Sequence, residues 1–473
     1  MLRGNGIVDH WYWLLYVEHL KEDRTFPTRL PHFMLEIDEQ WYPPLFPRLL
    51  ALLPTQLITM HGAKISQMVD SLCGMIIAAF VFWITKNAAF GFLAGMSYIL
   101  SYLPLSINIQ LQPRGLSNLV LTVLGGGIWL YLTTHSLWIW LAILSLSTCL
   151  LFIHKMTTQI WVVFLLAFGA WTRDWTVPLL LPISILLAII VSKGFYVKVL
   201  RAHWDIISYW HENMYYLGSH QYYESPLYSK PGHPSTALHQ KEFSSKIKKV
   251  WTLFIANPFV IIVPILVFQS IFVQCTKIEQ FLWIWVGTTY LWAVLTTFVP
   301  YLMALGAGVY YVYHSFFPFF LLTAYLVTDI SQQWLLWLLA AWGLALFLSG
   351  ALWRKVKEGN REKEDLLEVL EYLRGLPKDG VFCIPFTLPD ITAYFSRKKV
   401  FWGGHGYGFH TYLKPYFPIM RRNVLETLRE RPLNYLLFWR TYLDSLEDIG
   451  LKTGRDLKFL FGKGEYELYE VIK

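Results

Sequence analysis

The sequence predicts a mainly α, polytopic membrane protein of about ten transmembrane helices, followed by a small C-terminal α/β soluble domain. Three observations predict it. Of the 473 residues, 55% are hydrophobic and 17% aromatic. Only 15% are charged, against about 25% in an ordinary soluble domain. The charged residues are also bunched, so that long stretches contain none. This composition excludes a disordered chain, a collagen, a coiled coil and a disulfide-stapled mini-domain. The net charge of +8 suits anionic headgroups or phosphate better than the grooves of a nucleic acid. Cys73, Cys149, Cys275 and Cys383 lie far apart and form no metal or redox motif.

The spans follow from the gaps in charge. Asp, Glu, Lys and Arg are missing from 71–85, 87–113, 115–154, 156–172, 175–192, 250–276, 280–328 and 330–353. Crossing the hydrocarbon takes about 20 apolar residues. The stretch 115–154 therefore holds two spans, hinged near Thr133 to Ser136. The stretch 280–328 holds two more, joined around Pro300 to His314. The first span, near 68–86, is short and has Asp70 at its edge.

Together these make a multi-span membrane domain over 1–353. Two polar segments interrupt it, 1–66 before the first span and 193–249 in the middle. The tail, 354–473, reads as the soluble domain. It opens on a charged amphipathic helix, Glu362 to Leu373, then a turn over Gly375 to Gly380. Val381 to Ile384 and Lys399 to Trp402 read as strands, 421–447 as helix broken at Pro432, and Tyr466 to Ile472 as a last strand. Alternation of this kind suggests a small α/β module.

Short motifs punctuate this plan. Asp9 precedes Trp11, Tyr12 and Trp13, an aromatic amphipathic run suited to the bilayer surface. Trp41-Tyr-Pro-Pro44 leads toward the first span. Gln112-Pro-Arg114-Gly opens another, and Trp171-Thr-Arg173 precedes a further one. In these motifs and in the order of loops and spans, the chain resembles the GT-C superfamily of membrane glycosyltransferases. The likeness is to protein mannosyltransferases and oligosaccharyltransferases in architecture. It implies a multi-pass enzyme that draws sugars from polyprenyl phosphates. It also implies that 1–66, 193–249 and 354–473 are extracytoplasmic. The helix that precedes the first loop in that superfamily has no counterpart before Gly6.

The resemblance gives the residues roles. An acceptor hydroxyl must lose a proton as the anomeric carbon gains positive character, and Asp9 is the candidate catalytic base. On the residues alone, Asp9 reads first as a helix N-cap, and it is the resemblance that sets the catalytic role beside it. Asp38 and Glu39 are candidates for acceptor binding, or else a solvated turn. Arg114 is a candidate for the donor phosphate, since a guanidinium stays charged and grips phosphate with two donors. The alternative is an anchor reaching to the interface. His314, among Tyr310, Tyr311 and Tyr313, is a second donor-phosphate candidate, or an aromatic-belt residue.

Superfamily members that need a divalent metal carry a later acidic pair. The comparable stretch here, Ser106 to Gln112, has no carboxylate, which favours a metal-independent reaction without a cofactor and leaves a divalent metal open but unsupported. The five histidines of the 193–249 loop, His203, His211, His220, His233 and His239, offer no helical metal spacing. The glycine-rich run Trp402 to His410 matches no nucleotide-binding pattern. Expected partners are a polyprenyl-phosphate sugar, membrane lipids, and a glycan, lipid or protein acceptor, without nucleic acid. Two other classes stay open, an inactive scaffold of the same architecture and a lipid or polysaccharide transporter. Charged residues that fall almost entirely at span ends count against a transporter.

Overall fold

The structure is a computed structural model. It describes residues 10–24, 30–34, 42–108, 110–214, most of 249–350, and 361–473 except 404–407, 417–419 and 444. The chain divides into two compact units, one of Ala63–Lys198 with Lys246–Lys357, the other of Met1–Gly62, Val199–Ser245 and Glu358–Lys473.

The first of these is helical. Its elements come from α3 (Thr55–Thr85), α4 (Ala88–Ile99), α5 (Tyr102–Ile107), α6 (Arg114–Thr134), α7 (Leu137–Leu151), α8 (Lys155–Thr172) and α9 (Leu180–Val191). After 246 they are α11 (Val263–Phe272), α12 (Lys277–Phe298), α13 (Gly308–Val312) and α14 (Phe316–Ile330). Among the described residues, α3, α6 and α12 are long and apolar enough to cross a membrane. A fourth span is obtained if α9 and Phe195–Glu212, bent by 116°, count as one, and α4 and α7 are shorter apolar helices. The hinge expected near Thr133 to Ser136 falls at His135, whose φ of 50° turns the chain out of α6. The pair expected in 280–328 appears as α12 and α14, joined through Pro300 to Ser315. The span expected over 330–353 lies mostly outside the described residues.

Capping explains where several helices begin. Asn87 accepts from the Ala89 N–H at 3.0 Å and starts α4. Thr276 and Glu279 form a reciprocal capping box at the start of α12. The interior is aromatic, with Trp161, Phe164, Phe281 and Trp285 packed ring to ring. Large apolar side chains such as Phe92, Trp138, Trp171, Leu186 and Ile190 point outward, as lipid requires. Helices meet where side chains are small. Gly91 of α4 faces the Ala78 carbonyl, where a β-carbon would come within 2.6 Å, and Gly95 faces the Gly74 carbonyl at 2.7 Å. This is the small-xxx-small contact of membrane helix pairs.

The other unit contains α1 (His10–Asp23), α2 (Leu45–Ala51), most of α10 (Phe195–Glu212), α15 (Arg361–Gly375), α16 (Pro389–Ser396) and α17 (Val424–Glu430). It also holds β1 (Val381–Ile384), β2 (Tyr435–Trp439), β3 (Leu457–Lys463) and β4 (Tyr466–Val471), in the order β1-β2-β4-β3. β1 and β2 are parallel, with Val381 opposite Tyr435; the other pairings are antiparallel. Residues 32–34 reach the same sheet edge. The Val400 N–H donates to the His32 carbonyl at 2.8 Å, and the Met34 N–H to the Val400 carbonyl at 2.9 Å.

Three expectations are corrected here. Lys399 to Trp402 is no strand; Val400 makes single bridges to Phe33 and Val381. The region 421–447 is not helix throughout, because after α17 it becomes the buried strand β2. And α1 is no surface helix. Trp11, Tyr12, Trp13 and Tyr16 are all buried, Trp13 against Tyr42 and Phe46 and Trp11 against Tyr394 and Phe395.

Candidate functional site

Arg114 opens α6, directly after Pro113. Its guanidinium lies over the Tyr310 ring at 4.1 Å, a cation–π contact that leaves the N–H edges available to an anion. The next residue is Gly115 for a local reason. A β-carbon there would stand 2.9 Å from Asn108 Oδ1 and 3.0 Å from the Ser66 carbonyl. Only glycine lets the first turn of α6 press onto α3.

His314 lies in the same unit but is enclosed rather than open at a span end. It is 5% exposed. Its Nδ1 is 3.0 Å from Asn118 Oδ1 and its Nε2 is 3.4 Å from Thr157 Oγ1. Thr157 Oγ1 is 2.8 Å from Ser117 Oγ, and Ser117 donates to the Arg114 carbonyl at 2.9 Å. Arg114 and His314 are thus joined through two hydroxyls.

Behind them stands a group that reading the sequence missed. Asp70 is in the middle of α3, not at the edge of a span, because α3 starts at Thr55. It is 5% exposed and accepts at Oδ1 from Tyr98 Oη at 2.6 Å and from the Tyr313 hydroxyl. Asn118 Nδ2 donates to Tyr98 Oη at 2.9 Å, which ties this carboxyl to His314. Asn108 Nδ2 reaches Tyr313 Oη at 3.4 Å. A carboxyl inside an apolar helix is costly and persists only where hydroxyls and amides satisfy it. The expectation that Asp70 sits at the edge of a span is corrected, and it is an ionisable residue within an apolar helix. Its sequence signal was the residue itself, one acid amid an apolar run.

Asp9, Asp38 and Glu39 lie outside the described residues, as do His220, His233, His239 and His405. Among the described residues no group of three or more His, Cys, Asp or Glu could hold a metal ion. In the other unit, His410 bridges Asp205 Oδ1 at 2.7 Å and Glu212 Oε1 at 3.2 Å. The Lys414 ammonium, 2.8 Å from Glu212, holds that carboxyl below the usual range.

The fold that carries this cluster is the polytopic GT-C fold. It is similar to the crystal structure of ArnT from Cupriavidus metallidurans bound to undecaprenyl phosphate. The TM-score is 0.54 at 10% sequence identity, over 98% of this chain and 94% of that one. The apo structure of ArnT from the same organism gives 0.38 at 9% identity, over 98% and 93%. No family model and no curated protein matches the sequence. The chain is an integral membrane protein by fold and by its apolar helices.

Proposed function

We propose that this chain is an inverting glycosyltransferase. It would move a sugar from a polyprenyl-phosphate donor to a hydroxyl or amide acceptor at the outer membrane face. In this reading 193–249 and 354–473 are extracytoplasmic. The observation that carries it is the fold of a protein that holds undecaprenyl phosphate, matched over nearly the whole chain, with Arg114 held at the start of an apolar helix. The acceptor oxygen attacks the anomeric carbon from the face opposite the phosphate, and the bond to the phosphate oxygen breaks. Asp9 takes the acceptor proton. Arg114 neutralises the departing phosphate, with two N–H donors suited to two of its oxygens. His314, whose ring nitrogens are already engaged, serves the phosphate by holding Asn118 and Thr157 in place behind Arg114. Asp38 and Glu39 supply acceptor contacts. The lipid phosphate is a good leaving group, so the reaction as proposed needs no cofactor.

The test is transfer of labelled sugar from a polyprenyl-phosphate donor in membranes containing this protein. Asp9→Asn is expected to lower turnover by about 10²–10⁴-fold, the range for a general base. Arg114→Ala is expected to weaken donor use at least about tenfold, the value of one charge-assisted hydrogen bond. Equal turnover by native protein and Asp9→Asn removes Asp9 as the base.

A further inference from the structure

We infer that Asp70 is a positioning residue for Arg114; this rests on the donor-phosphate reading above. Two separate routes lead from its carboxyl to the guanidinium. The first runs through α6. Asp70 holds Tyr98, Tyr98 accepts from Asn118, and Asn118 lies one turn after Arg114 on the same helix. The backbone is clamped there as well. A β-carbon on Gly115 would stand 3.3 Å from Asp70 Cβ, and the Gln112 N–H donates to Ser66 Oγ at 3.1 Å. The start of α6 is therefore pinned onto the stretch of α3 that carries Asp70.

The second route runs through the segment after α12. Asp70 accepts from the Tyr313 hydroxyl. Tyr313 follows α13 directly, and Tyr310 lies three residues earlier in the same continuous turns. Residues three apart in such turns share a face. Tyr310 is the ring on which the guanidinium rests. One carboxyl thus fixes both Arg114 and the surface beneath it. Without it, two buried phenols lose the acceptor of their O–H groups, and among the described residues α6 and the turns after α13 keep only the Asn118–His314 bond between them. An ionisable group at this depth is kept for such a task more readily than for stability, since an apolar side chain would pack there at lower cost.

The experiment is a thermodynamic cycle on the full-length protein in detergent, with undecaprenyl phosphate as the probe and its affinity as the readout. Asp70→Ala and Tyr313→Phe are each expected to weaken binding about tenfold, and Asp70→Asn, which keeps the acceptor oxygen, to restore most of it. In an Arg114→Ala background the same changes are expected to cost nothing further, because the group they position is gone. A purely structural role would cost the same in both backgrounds. If Asp70→Ala does not accumulate, Tyr313→Phe carries the comparison, since it removes only a hydroxyl. Native affinity in Tyr313→Phe, or equal losses with and without Arg114, overturns the inference and leaves the proposed function standing. No binding by the native protein overturns the donor reading and the inference together.

Discussion

Gly308→Ala is the sharpest probe of how α13 is held. A β-carbon at Gly308 would lie 2.0 Å from Thr297 Oγ1 and 2.1 Å from the Ala293 carbonyl oxygen. Carbon and oxygen settle no closer than about 3.3 Å even in a weak hydrogen bond, so roughly 1 Å must be found. Thr297 cannot simply rotate away, because its hydroxyl donates to that same carbonyl at 2.6 Å. The carbonyl belongs to the backbone of α12. The helices must part, at a cost near the top of the overpacking range, about 3 kcal/mol. Gly287 is the control. It lies in α12 as well, yet a β-carbon there meets nothing within 4 Å. Alanine at that position gains up to about 1 kcal/mol of helix propensity. Thermal unfolding of the purified protein in detergent should therefore separate the two, with Gly308→Ala several degrees below native and Gly287→Ala at or above it. Coincident melting curves would refute the close approach of α12 and α13.

Two further outcomes are expected in the other unit. His10 is fully enclosed in α1, and burial lowers its pKa to about 4; His32 is lowered to about 4 by burial and then by neighbouring His19. Between about 4 and the ordinary 6.5 the unfolded chain binds more protons than the folded one, so stability is full above that window and falls as pH drops through it. For His10 the effect is at most about 3 kcal/mol, and His10→Asn should flatten its part of the pH dependence of chemical unfolding. Trp13→Ala should cost about 3–5 kcal/mol in the same measurement, because Trp13 is buried edge-on against Tyr42 and Phe46; a loss under 1 kcal/mol would contradict that packing.

The membrane helices were legible because the bilayer imposes a length and expels charge, and both can be read from a single chain. The hinge at His135 and the break around Pro300 followed from the same rule. β2 was not legible. Tyr435-Leu-Leu-Phe-Trp439 is apolar at every position, and a strand buried on both faces has no alternation to distinguish it from helix. For the site, Arg114 was visible as a lone cation after proline. Its supports were not. Tyr98, Asn118 and Tyr313 are ordinary residues for a membrane helix, and only the fold brings them to one carboxyl. From the sequence Asp70 reads as the edge of a span, because most of the turns before it, Thr55 to Met68, fall in the polar segment 1–66. They are helical all the same, with a kink at His61.

The contact between α3 and α4 at Gly91 and Gly95 is made against main chain, and the nearest side-chain atoms are only the β-carbons of Phe82 and Ala78. Its spacing does not depend on whatever apolar residues coat the outside of the pair. The lipid-facing positions can drift, or meet a bilayer of another thickness, without changing the distance between these two backbones. Asp70 is on one of them and Tyr98 on the other, so the first hydrogen bond of the buried chain spans two backbones held at close range by glycine.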